Sequence, residues 1–118
     1  MALINYNIGG QMDKHHIIFK SQGGLNFELN IIELPHDFHI GEDGPHLNDK
    51  CNKKLKMQLE CELKDILTEK QYSILDIKQI LGLNKKDTKK LNKRFVFIQE
   101  KYDTKEIIRK LMGGRLYG

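Results

Sequence analysis

The hydrophobic pattern of the chain changes near residue 47, and this change limits the folds that the sequence allows. Before it, the apolar runs LINYNI at 3–8 and NIIEL at 30–34 are short and typical of strands, with HHIIFK and a Gly-Gly turn between them. After it, apolar side chains recur every three or four positions, which predicts an amphipathic helix of about twenty residues. The sequence therefore predicts an α+β protein with a strand-containing first part and a helical second part. The helical stripe consists of Leu47, Cys51, Leu55, Leu59, Leu63 and either Ile66 or Leu67.

Local signals divide the second part into further helices. At three places a polar residue is followed three positions later by an acidic one, a spacing that satisfies the free amides of a helix start. Gly82 and Gly113 supply left-handed stops for the first and last of these helices. Gly44 and Pro45 are expected to open the long helix, with proline at its first position, and no internal repeat is visible. The capping pairs are Ser73 and Asp76, Asn84 and Asp87, and Asp103 and Glu106.

The charges divide at nearly the same place as the hydrophobic pattern. Residues 1–48 carry two basic and six acidic side chains together with all five histidines, whereas residues 49–118 carry 18 basic and 10 acidic ones. The chain as a whole has a net charge of +4. This division predicts a cation-binding first part and a polyanion-binding second part.

Several protein classes are excluded by what the sequence lacks. Cys51 and Cys61 do not form a CxxC pair, so neither a zinc ribbon nor a disulfide framework is expected. The longest apolar run, FVFI at 95–98, is far too short to span a bilayer. The amino terminus lacks the basic flank and long apolar stretch of a secretory signal. We therefore expect a cytoplasmic protein with no membrane partner.

The segment DKHHIIFKSQGG places two histidines side by side before a Gly-Gly turn. Adjacent side chains on a strand point to opposite sides, so His15 and His16 cannot bind one metal ion in the same manner. One imidazole can ligate a cation while the other stays free, and an unperturbed pKa of roughly 6.5 suits that free ring to proton abstraction near neutrality. Asn30, His39 and His46 follow in that order.

The segment HHIIFKSQGGLNFELNIIELPHDFH resembles the HNH endonucleases, whose signature is a histidine pair, a Gly-Gly loop, an asparagine and a distal histidine. The resemblance covers residues 15–46 and implies a ββα-metal module within residues 1–48, in which two antiparallel strands and a helix surround one metal ion. It implies that His15 is a metal ligand and that His16 is the general base that activates water. It further implies that Asn30 ties the loop to the second strand and orients His16.

The resemblance also makes His39 the second metal ligand, but the third ligand departs from the family pattern. Many members have a histidine four residues after this position, where this chain has Asp43. We favour His46, which a loop over 40–44 could bring back, and Asp43 is the competing choice. Imidazole ligands favour zinc, nickel, cobalt or manganese, although a site open to water also accepts magnesium. One divalent ion of this group is expected.

The basic second part contains a segment, residues 73–95, that resembles a helix-turn-helix unit with its turn at Gly82. Its predicted core positions are Ile77, Ile80, Leu81, Leu83 and Leu91. Its second helix is rich in basic residues, which should bind nucleic acid in a salt-sensitive way, mostly through phosphate. The predicted nucleic-acid contacts are Lys85, Lys86, Lys89, Lys90, Lys93 and Arg94.

Taken together, these features predict a metal-dependent HNH endonuclease that hydrolyses phosphodiester bonds of double-stranded DNA. The end of the chain, residues 103–118, resembles the closing segment of phage-encoded HNH proteins, which implies a phage or prophage origin and the cytoplasm of a bacterial host. A single site per chain implies that cutting both strands needs two copies, so a homodimer is a possible state. The alternative is a non-catalytic DNA-binding regulator with a structural metal ion, and RNA cleavage is a third option.

Overall fold

A computed structural model describes residues 10–118. Over these residues the chain is a small α+β protein with two antiparallel sheets of two strands each and five α-helices. The strand predicted at 3–8 lies outside the described residues. Within the described part, no helix is both long enough and apolar enough to cross a lipid bilayer.

The first sheet places the histidine pair beside a short helix. Strand β1, Met12–His16, pairs with β2, Ile31–Pro35, so that His15 lies opposite Ile32. Helix α1, His36–Ile40, follows at once after Pro35. This order brings α1 against both strands.

The connection between β1 and β2 is a packed loop with two single 3-10 turns, Lys20–Gln22 and Glu28–Asn30. Asn30 is fully buried, and its Oδ1 accepts from the amide of Ile18 while its Nδ2 donates to the carbonyls of Ile18 and Leu25. Gly24 lies so close to the main chain of Ile18 that a Cβ at this position would sit 1.7 Å from the Ile18 carbonyl oxygen. The loop therefore requires glycine at this position and an amide at residue 30.

Helix α2, Asp49–Ile66, is capped by Asn48, whose Oδ1 accepts from the amide of Cys51. The expected start at Gly44 and Pro45 is wrong, because residues 45–47 form a turn before the helix. Leu55, Leu59 and Leu63 of the predicted stripe are buried. Leu47 precedes the helix and is exposed, and Leu67 rather than Ile66 completes the buried face.

The three predicted short helices are confirmed as α3, Ile74–Leu81, α4, Lys85–Lys93, and α5, Thr104–Leu111. Ser73, Asn84 and Asp103 each accept from the amide three residues later, as the capping pattern predicts. Gly82 ends α3 at φ +70°, in the left-handed region that favours glycine. Of the predicted core positions around this turn, Ile80 is the exception, since it is 44% exposed.

The second sheet reveals an internal repeat that the sequence analysis missed. Strand β3, Gln71–Tyr72, precedes α3, and strand β4, Tyr102–Asp103, precedes α5. The strands pair with the two tyrosines opposite each other. Each tyrosine hydroxyl also accepts from the amide three residues earlier, at 2.9 Å for Tyr72 and 3.0 Å for Tyr102. Residues 69–81 and 99–111 are thus two copies of one turn, strand and capped helix.

One hydrophobic core joins the strand-containing first part to the helical second part. The loop between β1 and β2 contributes apolar side chains that belong to the same buried cluster as those of α2, α3, α4 and α5. The two parts therefore share their stabilising contacts. The loop residues in the cluster are Ile17, Ile18, Leu25 and Phe27.

The shared core predicts that a cavity in α2 destabilises the whole chain. Leu63 is fully buried, so Leu63→Ala should lower the free energy of unfolding by about 2–5 kcal/mol in urea denaturation followed by circular dichroism. Leu75→Ala, at a site 61% exposed on α3, is the matched control and should change it by less than about 0.5 kcal/mol. Two separate transitions in the wild-type protein would show that the parts do not share a core.

Candidate metal centre

Three imidazole rings from three different segments meet at one end of the first sheet. His15 comes from β1, His39 from α1 and His46 from the turn before α2, and one ring nitrogen of each lies within 4.8 Å of the others. The Nε2 atom of His39 is 3.1 Å from Nδ1 of His15 and 2.8 Å from Nε2 of His46. The structure thus brings together the three predicted ligands, and it places His46 rather than Asp43 in the group.

Asp13 fixes the orientation of the central ring. Its Oδ2 accepts from Nδ1 of His39 at 2.9 Å and from Nδ1 of His36 at 2.7 Å. Because a carboxylate only accepts, Nδ1 of His39 carries the hydrogen and a neutral ring turns the lone pair of Nε2 toward the cluster. The hydrogen bond from His39, followed by that from His36, holds the pKa of Asp13 below its ordinary value.

No role at the site was predicted from the sequence for Asp13 or His36. A signal for Asp13 was present, since residues two apart on a strand lie on the same face and Asp13 precedes His15 by two. A carboxylate on the second nitrogen of a ligating histidine is also the usual arrangement at metal sites. His36 had no such signal, because its contact with Asp13 spans 23 residues.

Burial keeps the inner ring of the cluster neutral. His15 is 2% exposed, and burial, with further contributions from His39 and His46, lowers its pKa to about 4. Burial, followed by the charge of His39, also lowers the pKa of His46, whose ring stacks on Phe19 with centroids 5.2 Å apart. Neutral imidazole is the form that ligates a metal ion, so His15 needs no proton removed at neutral pH.

The cluster fits a metal ion in its donor set and in its spacing. In a tetrahedral zinc site with zinc–nitrogen distances of about 2.0–2.1 Å, neighbouring nitrogens are about 3.3 Å apart, close to the distances seen around His39. Nδ1 is the nitrogen of His15 that faces His39, whereas its Nε2 is buried with no hydrogen-bond partner among the described residues. Three imidazoles suit zinc and related divalent ions, and a three-ligand set leaves room for water or substrate.

His16 lies outside the three-histidine group, as expected for the neighbour of His15 on a strand. Its Nε2 donates to Oδ1 of Asn26 at 2.7 Å, so in the neutral ring the lone pair is on Nδ1. The resemblance implied that Asn30 orients His16, but the side chain of Asn30 bonds to Ile18 and Leu25 instead. Asn26 is the residue that contacts His16, and no motif in the sequence identified it.

The predicted nucleic-acid contacts divide into two groups. Arg94 contacts the protein itself, since its guanidinium donates to the carbonyls of Gly23 at 2.6 Å and Lys110 at 2.9 Å, and burial lowers its pKa. These contacts tie the end of α4 to the loop before β2, and the nucleic-acid role of Arg94 stays a prediction. The remaining five side chains are all exposed on α4: Lys85, Lys86, Lys89, Lys90 and Lys93.

The fold and the site define a small α+β protein with a three-histidine cluster able to hold a metal ion. Searches against protein-family models, curated proteins and solved structures find no match to this chain.

The cluster predicts binding of one divalent ion per chain, measurable by competition between the protein and a chromophoric chelator for Zn²⁺. His39→Ala should abolish tight binding because it removes the central ligand. Asp13→Asn should weaken binding by about 10- to 100-fold, since His39 loses its carboxylate partner. His16→Ala is the control and should bind as the wild type does. Wild-type affinity in His39→Ala would show that the ion binds elsewhere.

Proposed function

We propose that the protein is a metal-dependent endonuclease of the HNH type that hydrolyses phosphodiester bonds of DNA. The single observation that carries the proposal is the different placement of two adjacent histidines. His15 joins the cluster of potential ligands, while His16 is held by Asn26 with the lone pair of its second nitrogen available. The order of β1, β2 and α1 around the cluster is consistent with the ββα arrangement of this class.

Phosphodiester hydrolysis needs a deprotonated water, neutralisation of charge on the phosphoryl oxygens and stabilisation of the leaving alkoxide. A divalent ion held by His15, His39 and His46 would supply the last two. His16 would accept the proton of the attacking water at Nδ1, because Nε2 already carries a hydrogen donated to Asn26. Asp13 keeps His39 oriented as a ligand throughout.

The exposed lysines of α4 form the surface that binds the DNA substrate in this proposal. Asp87, the acidic residue of this helix, is buried, so the helix presents positive charge to solvent. Lysine contacts phosphate as a point charge, so binding of DNA through this surface is not selective for sequence. A regulator with a structural ion is the alternative, but structural zinc sites are closed by four protein ligands, and the cluster offers three.

The proposed reaction predicts that His16→Ala lowers the rate of supercoiled-plasmid cleavage by about 10²–10⁴, because general-base assistance is lost. Its Zn²⁺ affinity should stay at the wild-type value, and added imidazole should restore part of the activity. The cleavage rate is measured by gel assay across a panel of divalent ions, with a chelator-treated reaction as the blank. Cleavage at the wild-type rate would remove His16 from this role, and metal-dependent DNA binding without cleavage would favour the regulator.

Binding through α4 predicts a reduced salt dependence when its lysines are removed. The double variant Lys89→Ala/Lys93→Ala should lower the slope of log K against log salt by up to about 2, with equal loss for unrelated DNA sequences. Lys53→Ala is the matched control, because Lys53 is exposed on α2 and pairs with Asp49 at 3.1 Å. Fluorescence anisotropy at several salt concentrations measures both. Equal slopes for variant and wild type would exclude α4 as the binding surface.

A further inference from the structure

Asp87 is a buried carboxylate in the first turn of α4, but its side chain does not make the capping hydrogen bond that this position favours. Asp76 occupies the same position in α3 and turns back to accept from the amide of its own capping residue, Ser73, at 3.3 Å. Asp87 instead accepts through Oδ2 from the amide of Asn26, 61 residues earlier in the chain, at 2.8 Å. It is 1% exposed, although the lysines of the same helix are exposed.

The contact of Asp87 continues to the histidine outside the metal cluster. Asn26 donates its backbone N–H to Asp87 and accepts at its side-chain oxygen from Nε2 of His16, at 2.7 Å. A charged acceptor on a backbone amide gives a stronger hydrogen bond than a neutral one, so the position of Asn26 is well defined. Three residues thus form one chain of hydrogen bonds from α4 to His16.

A second contact attaches the same loop to the same helix. Arg94, directly after α4, donates to the carbonyl of Gly23, three residues before Asn26. The loop is therefore held at two points by side chains from the two ends of α4. A displacement of this helix would move Asn26 and, with it, the ring of His16.

We propose that Asp87 is a positioning residue that couples the lysine-bearing helix α4 to His16 through Asn26. The proposal rests on the function proposed above. DNA held by the lysines would fix α4, and α4 would fix the ring nitrogen that accepts the proton. The second oxygen of Asp87 is buried without a hydrogen-bond partner among the described residues, which costs free energy of folding. The hydrogen bond from Asn26 is the contact that explains why a carboxylate occupies this buried position.

The first test does not depend on activity. Long-range ¹H–¹⁵N spectra of the histidine rings report whether His16 keeps its hydrogen on Nε2. The wild-type protein and Asp87→Asn, whose amide oxygen can accept the same bond, should show this tautomer, whereas Asp87→Ala should show a mixture of both. Asp76→Ala is the matched control, since it removes an acidic residue at the same position of a helix without contacting Asn26. An unchanged His16 tautomer in folded Asp87→Ala would overturn the proposal.

The second test uses cleavage kinetics and a variant that leaves the core intact. Asn26 is exposed, so Asn26→Ala breaks the last link without a buried cavity. Asp87→Ala and Asn26→Ala should each lower kcat by up to about 100-fold while KM for DNA and Zn²⁺ affinity stay unchanged. The double variant should be no slower than the slower of the two single variants, because both substitutions act through His16. Additive losses would overturn the coupling, whereas a wild-type rate in His16→Ala would overturn the proposed reaction and leave the spectroscopic result standing.

Discussion

The buried amide of Asn30 is the contact on which the first part of the structure depends. It makes three hydrogen bonds to main-chain atoms of the loop before it, and it is fully shielded from solvent. Losing a partner of a buried polar group costs about 1–3 kcal/mol, so this side chain holds the loop in one conformation. That conformation directs Ile18, Leu25 and Phe27 into the common core. It also leaves His16 and Asn26 at the surface, where they contact each other.

The histidine cluster brings polar rings together in a partly buried position, which costs free energy of desolvation when no ligand is bound. His15 is desolvated, and one of its nitrogens has no protein partner among the described residues. Asp13 fixes the tautomer of His39 so that the remaining lone pair is directed inward. A divalent cation would accept the inward lone pairs of the clustered rings, which is the physical reason for regarding this cluster as a metal site.

The sequence predicted those parts of the structure that local patterns determine. The stripe of leucines defined α2, the polar and acidic pairs defined three helix starts, and the resemblance to the HNH pattern named the histidines of the cluster. Contacts between distant segments were not predictable in this way. The bond of Asn26 to Asp87 and that of Arg94 to Gly23 span 61 and 71 residues, and a single sequence carries no signal for them. The tyrosine repeat was missed because its two copies share hydrogen bonds and caps rather than many identical residues.

The common core has a consequence for how such a protein can change over evolution or in the laboratory. A catalytic unit that is exchanged between proteins as a cassette must bury its own apolar residues. Here the loop that follows the histidine pair is packed among the helices of the second part. A graft of the first part alone would leave Ile18, Leu25 and Phe27 in water. Under the proposed function, new target preferences are therefore more accessible through substitutions on the solvent side of α4, which leave the packing untouched, than through recombination of halves.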